Sequence, residues 1–319
     1  MREWPYWLLV YLPLSLMLSE VHLRTVDRPN YPRQLQAHRE IVSGRSERPY
    51  NIRILQPLVV QAIIDRLPSR EEGKFLGGYA AVRIASLLVT FCLAERVFRA
   101  FGNLATARIC VLLLAAVHPF TFLVYYFQPS SVLDLACFTV GMHWIVSGRH
   151  WLLIPLVILA TANRNTSAFL CLAYGLYHLD ALWTPDRLAR RRYVAVCVLL
   201  GAIWAIEIGL LEWYFPTDHW CEGSRIGFLA NLTDDKVWKY FLVMCTPLMA
   251  SVWFGWPTST AAMRRMVIWA VVYVAVHLGM ARAYEARYWL ELYVGLGPFC
   301  VLAYERLTRP KEPAAMNPS

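Results

Sequence analysis

The sequence predicts an all-α, polytopic membrane protein, folded as a single transmembrane domain over residues 1–319. Hydrophobic residues make up 58% of the chain, where ordinary soluble domains have about 45–50%. They fall in repeated apolar stretches of about 18 or more residues, the length a helix needs to cross a bilayer. Between the stretches, arginines recur in clusters. In a soluble chain a net charge of +9 would suggest a nucleic-acid partner. Here the cations gather in connecting segments, as positive-inside topology expects, and no nucleic-acid partner is predicted. Seven of the eight cysteines (Cys92, Cys110, Cys137, Cys171, Cys197, Cys245, Cys300) lie in apolar stretches, and Cys221 in a polar one. Without CxxC spacing they read as small buried hydrophobes, not as a disulfide framework.

The first stretch follows Arg2 and covers residues 4–18. It has the look of a signal peptide, but no small-residue cleavage site follows, so a retained anchor is expected. Residues 20–76 then form a long, arginine-rich extracytoplasmic loop. Loops beyond about 12–15 residues usually carry function or disorder, and this one is patterned. Ile52, Leu55, Val59, Ala62 and Ile63 recur at helical spacing, with Gln56, Asp65 and Arg66 off the stripe. That predicts an amphipathic helix lying on the membrane surface or on the other helices. Further spans are expected at 77–98, 107–127, 132–146, 193–214, 238–256, 266–280 and 289–304, giving about eight full crossings. Residues 305–319 read as a polar cytoplasmic tail.

Orientation follows from the basic clusters Arg96/Arg99/Arg108, Arg149, Arg187–Arg192, Arg264/Arg265 and Arg306/Arg309/Lys311. Their alternation places both termini in the cytoplasm. Residues 151–179 lie between two flanks that both seek the cytoplasm, yet they are too few for two crossings of about 20 residues each. A pair of short helices, broken at Asn163-Arg164-Asn165-Thr166-Ser167, satisfies both flanks. An arginine at that depth must face protein or a wet cavity. The scheme sends the first loop, Gln128, this break, residues 217–236 and residues 282–287 to one face, where a site partly sunk in the bilayer would open.

Each candidate residue has a plainer reading. Asp27 is the candidate catalytic base, or a solvated acid shaping the turn before Pro29. Arg48, Asn51 and Arg53 suit an anionic ligand, or anchor an interfacial helix to lipid phosphates. Asp134 opens a span, where the helix dipole alone favours an acid. Arg164 is the strongest signal, because an intramembrane arginine is a functional candidate by default; its alternative is a structural pair with Asp134 or Glu207. Gln128, Asn163, Glu285 and Arg287 complete the substrate-binding set, although Arg287 and Glu291 could simply pair at i,i+4. Asp218, His219 and Glu222 fall short of a metal site, and no metal or cofactor is expected. Asn165-Thr166-Ser167 and Asn231-Leu232-Thr233 match the glycosylation sequon, which carries weight only in a suitable host.

Several of these stretches resemble the GT-C class of membrane glycosyltransferases. A first span followed by a polar outer loop with an acid soon after it, then a surface helix and many kinked spans, is similar to that architecture. Gly44 through Pro57 (GRSERPYNIRILQP) resembles a G…PY-x-x-R-x-L-x-P segment of bacterial proteins grouped near the class. Asn163-Arg164-Asn165-Thr166 resembles their NRET turn, with Asn165 in place of Glu, and Glu285-Ala286-Arg287-Tyr288 their final E-x-R-Y. The resemblance implies a bacterial plasma-membrane protein that uses a polyprenyl-phosphate sugar on the outer face, with Asp27, by position, as base.

That chemistry is consistent with the residue types. Transfer from a lipid-phosphate sugar needs a base for the acceptor hydroxyl and cations for the departing phosphate. Arg48, Arg53, Arg164 and Arg287 offer guanidinium groups that match phosphate geometry. No glycine-rich nucleotide loop occurs in any segment assigned to the cytoplasm. A transporter or flippase of a lipid-linked or anionic substrate remains open, since broken helices and midplane charges suit it too. So does a polymerase or ligase of surface polysaccharide.

Overall fold

The computed structural model describes residues 3–68, 71–122, 130–217, 228–280 and 285–308, and within them every regular element is helical. Gln128, Asp218, His219, Cys221 and Glu222 lie outside the described residues, as does the tail beyond Thr308. Six helices are long and apolar enough to cross a membrane. They are α1 (Trp4–Val42), α3 (Glu71–Arg99), α4 (Leu104–Phe122), α8 (Arg187–Tyr214), α10 (Asp235–Gly255) and α11 (Ala261–Met280). Shorter elements complete the bundle: α2 (Leu55–Ile64), α5 (Ser131–Val146), α6 (Leu153–Asn163), α7 (Ala168–Tyr177), α9 (Phe228–Thr233) and α12 (Leu290–Thr308). Two expected spans fall short of the six. Helix α5 has 16 residues, and α12 carries Glu291, Glu305 and Arg306 within its length.

The expected first loop is largely helix. Helix α1 runs for 39 residues, about 58 Å at 1.5 Å per residue, roughly twice the hydrocarbon thickness. It contains π-helical turns at Trp7–Tyr11 and Leu23–Asp27 and a 3₁₀ turn at Arg28–Asn30. Pro29 and Pro32 sit in first-turn positions of the segments that follow, where a missing N–H removes no bond. The prolines therefore restart the helix instead of ending it. What holds α1 upright along its whole length is α3, which runs antiparallel beside it. Glu3 pairs with Arg96 and Arg99, Tyr11 donates to Glu95 at 2.7 Å, and Asp27 pairs with Arg83 at 2.6 Å. Further out, His38 meets Tyr79 at 2.9 Å and Arg39 pairs with Glu71. Such a polar seam leaves no apolar periodicity to read in the sequence.

Helix α2 forms where an amphipathic helix was expected, but with another face inward. Gln56, Pro57 and Val60 are buried, while Leu58 and Val59 are exposed. Gly78 of α3 lets Val60 approach: a Cβ there would lie 3.1 Å from its side chain. Burial of Val60 against α3 sets the rotation: of the expected stripe, Ile52 is buried and Ile63 packs inward, Leu55 is half-buried, and Val59 and Ala62 turn outward.

Helix α12 is the centre of the bundle. Every residue from Leu290 to Val301 is buried, as expected of a helix apolar all round. Its glycines allow close approach: a Cβ on Gly295 would meet the Trp269 ring at 2.6 Å, and one on Gly297 the Phe98 ring at 2.3 Å. The basic clusters gather at one end of the bundle. Arg108 reaches Glu95, Glu305 accepts from Asn103, and Arg265 pairs with Asp180. At the same end His150, which opens the broken hairpin, packs on His178, which closes it, with ring centroids 4.9 Å apart. The hairpin turns at the other tip, between Asn163 and Ala168.

Candidate functional site

Helix α6 stops at Asn163 because the next residues bond sideways. Arg164 is extended, and Asn165–Ser167 form one 3₁₀ turn before α7. Asn163 Nδ2 donates to the Ser130 carbonyl at 2.9 Å, and Thr161 and Ser167 hydroxyls meet at 2.9 Å. Short polar side chains compete in this way with the helix ladder. Thr166 Oγ1 donates to Asp134 Oδ2 at 2.7 Å, and Arg164 Nη1 pairs with the same oxygen at 3.2 Å. Arg164 is 2% exposed and Asp134 5%. The hairpin tip is thus pinned to the first turn of α5, and Asp134 is the structural partner that the sequence allowed.

A second arm comes from the turn before α12. Ala286–Trp289 is a 3₁₀ turn, so the α-helical i,i+4 register that would join Arg287 to Glu291 is absent. Arg287 pairs with Glu285 instead. Glu291 faces Tyr273, whose hydroxyl lies 2.9 Å from its Oε2 and 2.7 Å from the Tyr288 carbonyl oxygen. The Tyr288 ring has two cations beside it, with the Arg164 guanidinium carbon 4.9 Å and that of Arg287 5.1 Å from its centroid.

The third arm is the Gly44–Pro57 stretch. Asn51 Nδ2 donates to the Phe215 carbonyl at 2.8 Å, tying this segment to the end of α8. Arg53 is buried and lies 5.5 Å from the Tyr50 ring. Arg48, in the same stretch, is only partly buried. Burial, and then the neighbouring Arg164 charge, lower the pKa of Arg53. Arg287 is lowered to about 10, again by burial first. Tyr288 goes the other way: burial raises it, but Arg287, Arg164 and Arg53 together hold it below its ordinary value. Three guanidinium groups therefore act on one phenol, and the field there is positive.

Asp27 sits nearby but outside this cluster. Its Oδ2 takes the Arg83 pair at 2.6 Å and lies 3.3 Å from His22 Nδ1, while Oδ1 accepts from Gln34 Nε2 at 3.2 Å. The link to the cluster is a cavity of about 40 Å³ lined by His22, Val26, His118, Ser131, Glu285 and Arg287, among others.

The structure thus brings together Arg53, Asp134, Asn163, Arg164, Glu285 and Arg287 from the expected set, with Asn51 as a tether. Tyr50 and Tyr288 entered the sequence analysis only as members of resembling stretches, and Tyr273, His22 and Arg83 did not enter it. Arg83 had a usable signal, since it lies within an apolar span, where an arginine always needs a partner. Tyr273 had none, because the aromatic belts of a membrane protein use the same residue. No protein-family model, curated protein or solved structure matches the chain.

Proposed function

We propose that the chain is a membrane-embedded transferase that takes a sugar from a polyprenyl phosphate at the end of the bundle opposite the basic clusters. One observation carries the reading: three distant stretches gather Arg53, Arg164 and Arg287 inside an apolar bundle, two of them against the Tyr288 ring. Clustered guanidiniums out of water are costly, and a phosphate is the anion whose geometry they match best. Arg164 Nε has no acceptor among the described residues. A lipid tail also has a place to lie. An apolar groove of about 950 Å³ runs between α10 and α11 over α12, bordered by Phe241, Leu248, Val274 and Leu292. Leu292 in its wall is the sequence neighbour of Glu291 on α12. In this reading the basic end and both termini face the cytoplasm of a bacterium, and the site opens outward.

A transporter of an anionic lipid is the second reading, and the broken hairpin α6–α7 favours it, since half-helices meeting inside the bundle are a transporter device. Binding and turnover separate the two. Purified protein in nanodiscs is mixed with a panel of polyprenyl-phosphate hexoses and pentoses, with polyprenyl phosphate alone for affinity. Release of polyprenyl phosphate from at least one sugar, together with weaker binding in Arg53→Gln and Arg287→Gln, supports the transferase. Binding without turnover, combined with transbilayer movement in proteoliposomes, supports the transporter. Equal binding with and without the arginines would defeat both.

A further inference from the structure

The π-helical turn Leu23–Asp27 joins two side chains that an α-helix would keep apart. Residues five apart in an α-helix point about 140° from one another. Here the wider turn places His22 Nδ1 3.3 Å from Asp27 Oδ2. Single π turns are rare and recur at functional sites.

Asp27 is a poor candidate to meet substrate directly. Arg83 and Gln34 engage its two oxygens, and it is 4% exposed. His22, by contrast, lines the cavity shared with Glu285 and Arg287. At about 40 Å³ the cavity has room for a water or a hydroxyl, which needs about 10–15 Å³ on this measure. Asp27 Oδ2 stands within ion-pair distance of Nδ1 but off hydrogen-bond alignment; a proton drawn to Nδ1 by that carboxylate leaves Nε2 as an acceptor. His118 lines the same cavity, but no carboxylate among the described residues pairs with it, whereas Asp27 stands 3.3 Å from His22 Nδ1. Nothing described fixes its tautomer.

We infer that His22 is the group that takes the proton from the acceptor hydroxyl, and that Asp27 is its positioning residue. The inference rests on the transferase reading above. As the acceptor oxygen bonds to the anomeric carbon, its proton passes to His22 Nε2. The bond from that carbon to the phosphate oxygen breaks, and its electron pair leaves with the polyprenyl phosphate. The imidazolium then gives its proton to water. The charged and titratable groups around His22 are Asp27 on its own helix, Arg83 from α3, His118 from α4, and Glu285 and Arg287 ahead of α12. Arg287 stands on the cavity wall, on the side where the phosphate would be held.

Chemical rescue tests this on the full-length protein in nanodiscs. The probes are the polyprenyl-phosphate sugars above, with water or glycerol as acceptor. His22→Ala is expected to lower turnover by about 10²-fold or more, the usual contribution of a general base. Its affinity for polyprenyl phosphate should stay within about twofold of wild type. Free imidazole should restore at least about tenfold of the lost rate, which no purely structural histidine would allow. Asp27→Asn should lower turnover with little change in KM, and Asp27→Glu should recover part of it. Because Asp27→Asn also leaves Arg83 buried without its partner, the Asp27→Asn/Arg83→Gln double variant serves if the single one does not fold. Wild-type turnover with His22→Ala within about threefold of it would overturn the inference and leave the transferase reading standing. A wild-type protein that turns over none of the sugars would overturn both.

Discussion

Arg164 and Asp134, 30 residues apart, form an ion pair at 3.2 Å in which neither side chain is more than 7% exposed. The pair joins the tip of the broken hairpin to the first turn of α5. Removing one member of a buried pair strands the other's charge, at a cost of about 3–5 kcal/mol. Arg164→Ala and Asp134→Ala should each lower unfolding stability by that order, read by thermal or denaturant unfolding in detergent. Arg164→Met/Asp134→Leu should recover most of the loss. Equal stability of the single and double variants would show that the pair is not what holds the turn.

Tyr288 holds two guanidinium groups within about 5 Å of its ring. Exposed cation–π contacts contribute about 0.5–1 kcal/mol each, desolvated ones about 2. Tyr288→Leu is therefore expected to destabilise by about 1–3 kcal/mol, and Tyr288→Phe by much less, because the ring remains. Polyprenyl-phosphate affinity should fall in Tyr288→Leu as the arginines lose their common support. Unchanged affinity and melting temperature would remove Tyr288 from the site.

The same residue gives a pH signature. Its folded pKa lies below the ordinary 10.0, pulled down by Arg287, Arg164 and Arg53 against the effect of burial. Between the folded value and about 10, the unfolded state holds the proton more firmly, so stability rises with pH across that window. The stabilisation is complete above the unfolded value and is lost as pH falls through the folded one. The stability difference between wild type and Tyr288→Phe should therefore grow as pH rises toward 10. A flat difference would show that the phenol does not feel the arginines.

Gly295 and Gly297 set how closely α12 is embraced. A Cβ at either position would clash with Trp269 or Phe98, and both rings are fully enclosed. Overpacking of this kind costs about 1–3 kcal/mol. Gly295→Ala and Gly297→Ala should each show it in unfolding, whereas Gly209→Ala, where nothing lies within 4 Å, should be neutral or slightly stabilising.

Sidedness is checked by cysteine labelling at two exposed positions, Gln36 and Arg190. In cells, an impermeant maleimide should modify Gln36→Cys and spare Arg190→Cys. Labelling of Arg190→Cys would invert the bundle and turn the arginine cluster away from the outer face.

Composition and apolar run length alone were enough for the helical membrane architecture, because bilayer thickness and backbone hydrogen bonding admit few other solutions. The hairpin break was also legible. Two basic flanks and too few residues between them leave one topology, and the short polar run Asn163-Arg164-Asn165-Thr166-Ser167 marks where it turns. The same topology sent Arg53, Arg164 and Arg287 to one end, where the structure brings them together. The outer half of α1 was not legible. Its stability comes from partners on α3, each 32 or more residues away in sequence, at Asp27–Arg83, His38–Tyr79 and Arg39–Glu71, and its prolines look like breakers until their first-turn positions are known. The rotation of α2 likewise depended on which face met α3. Pairing choices inside the site belong to the fold for the same reason. Whether Arg287 takes Glu285 or Glu291, and whether Asp27 faces solvent, Arg83 or His22, is decided by a local change of helix type. A 3₁₀ turn and a π turn each move a side chain by a large angle, for energies smaller than any sequence pattern reports.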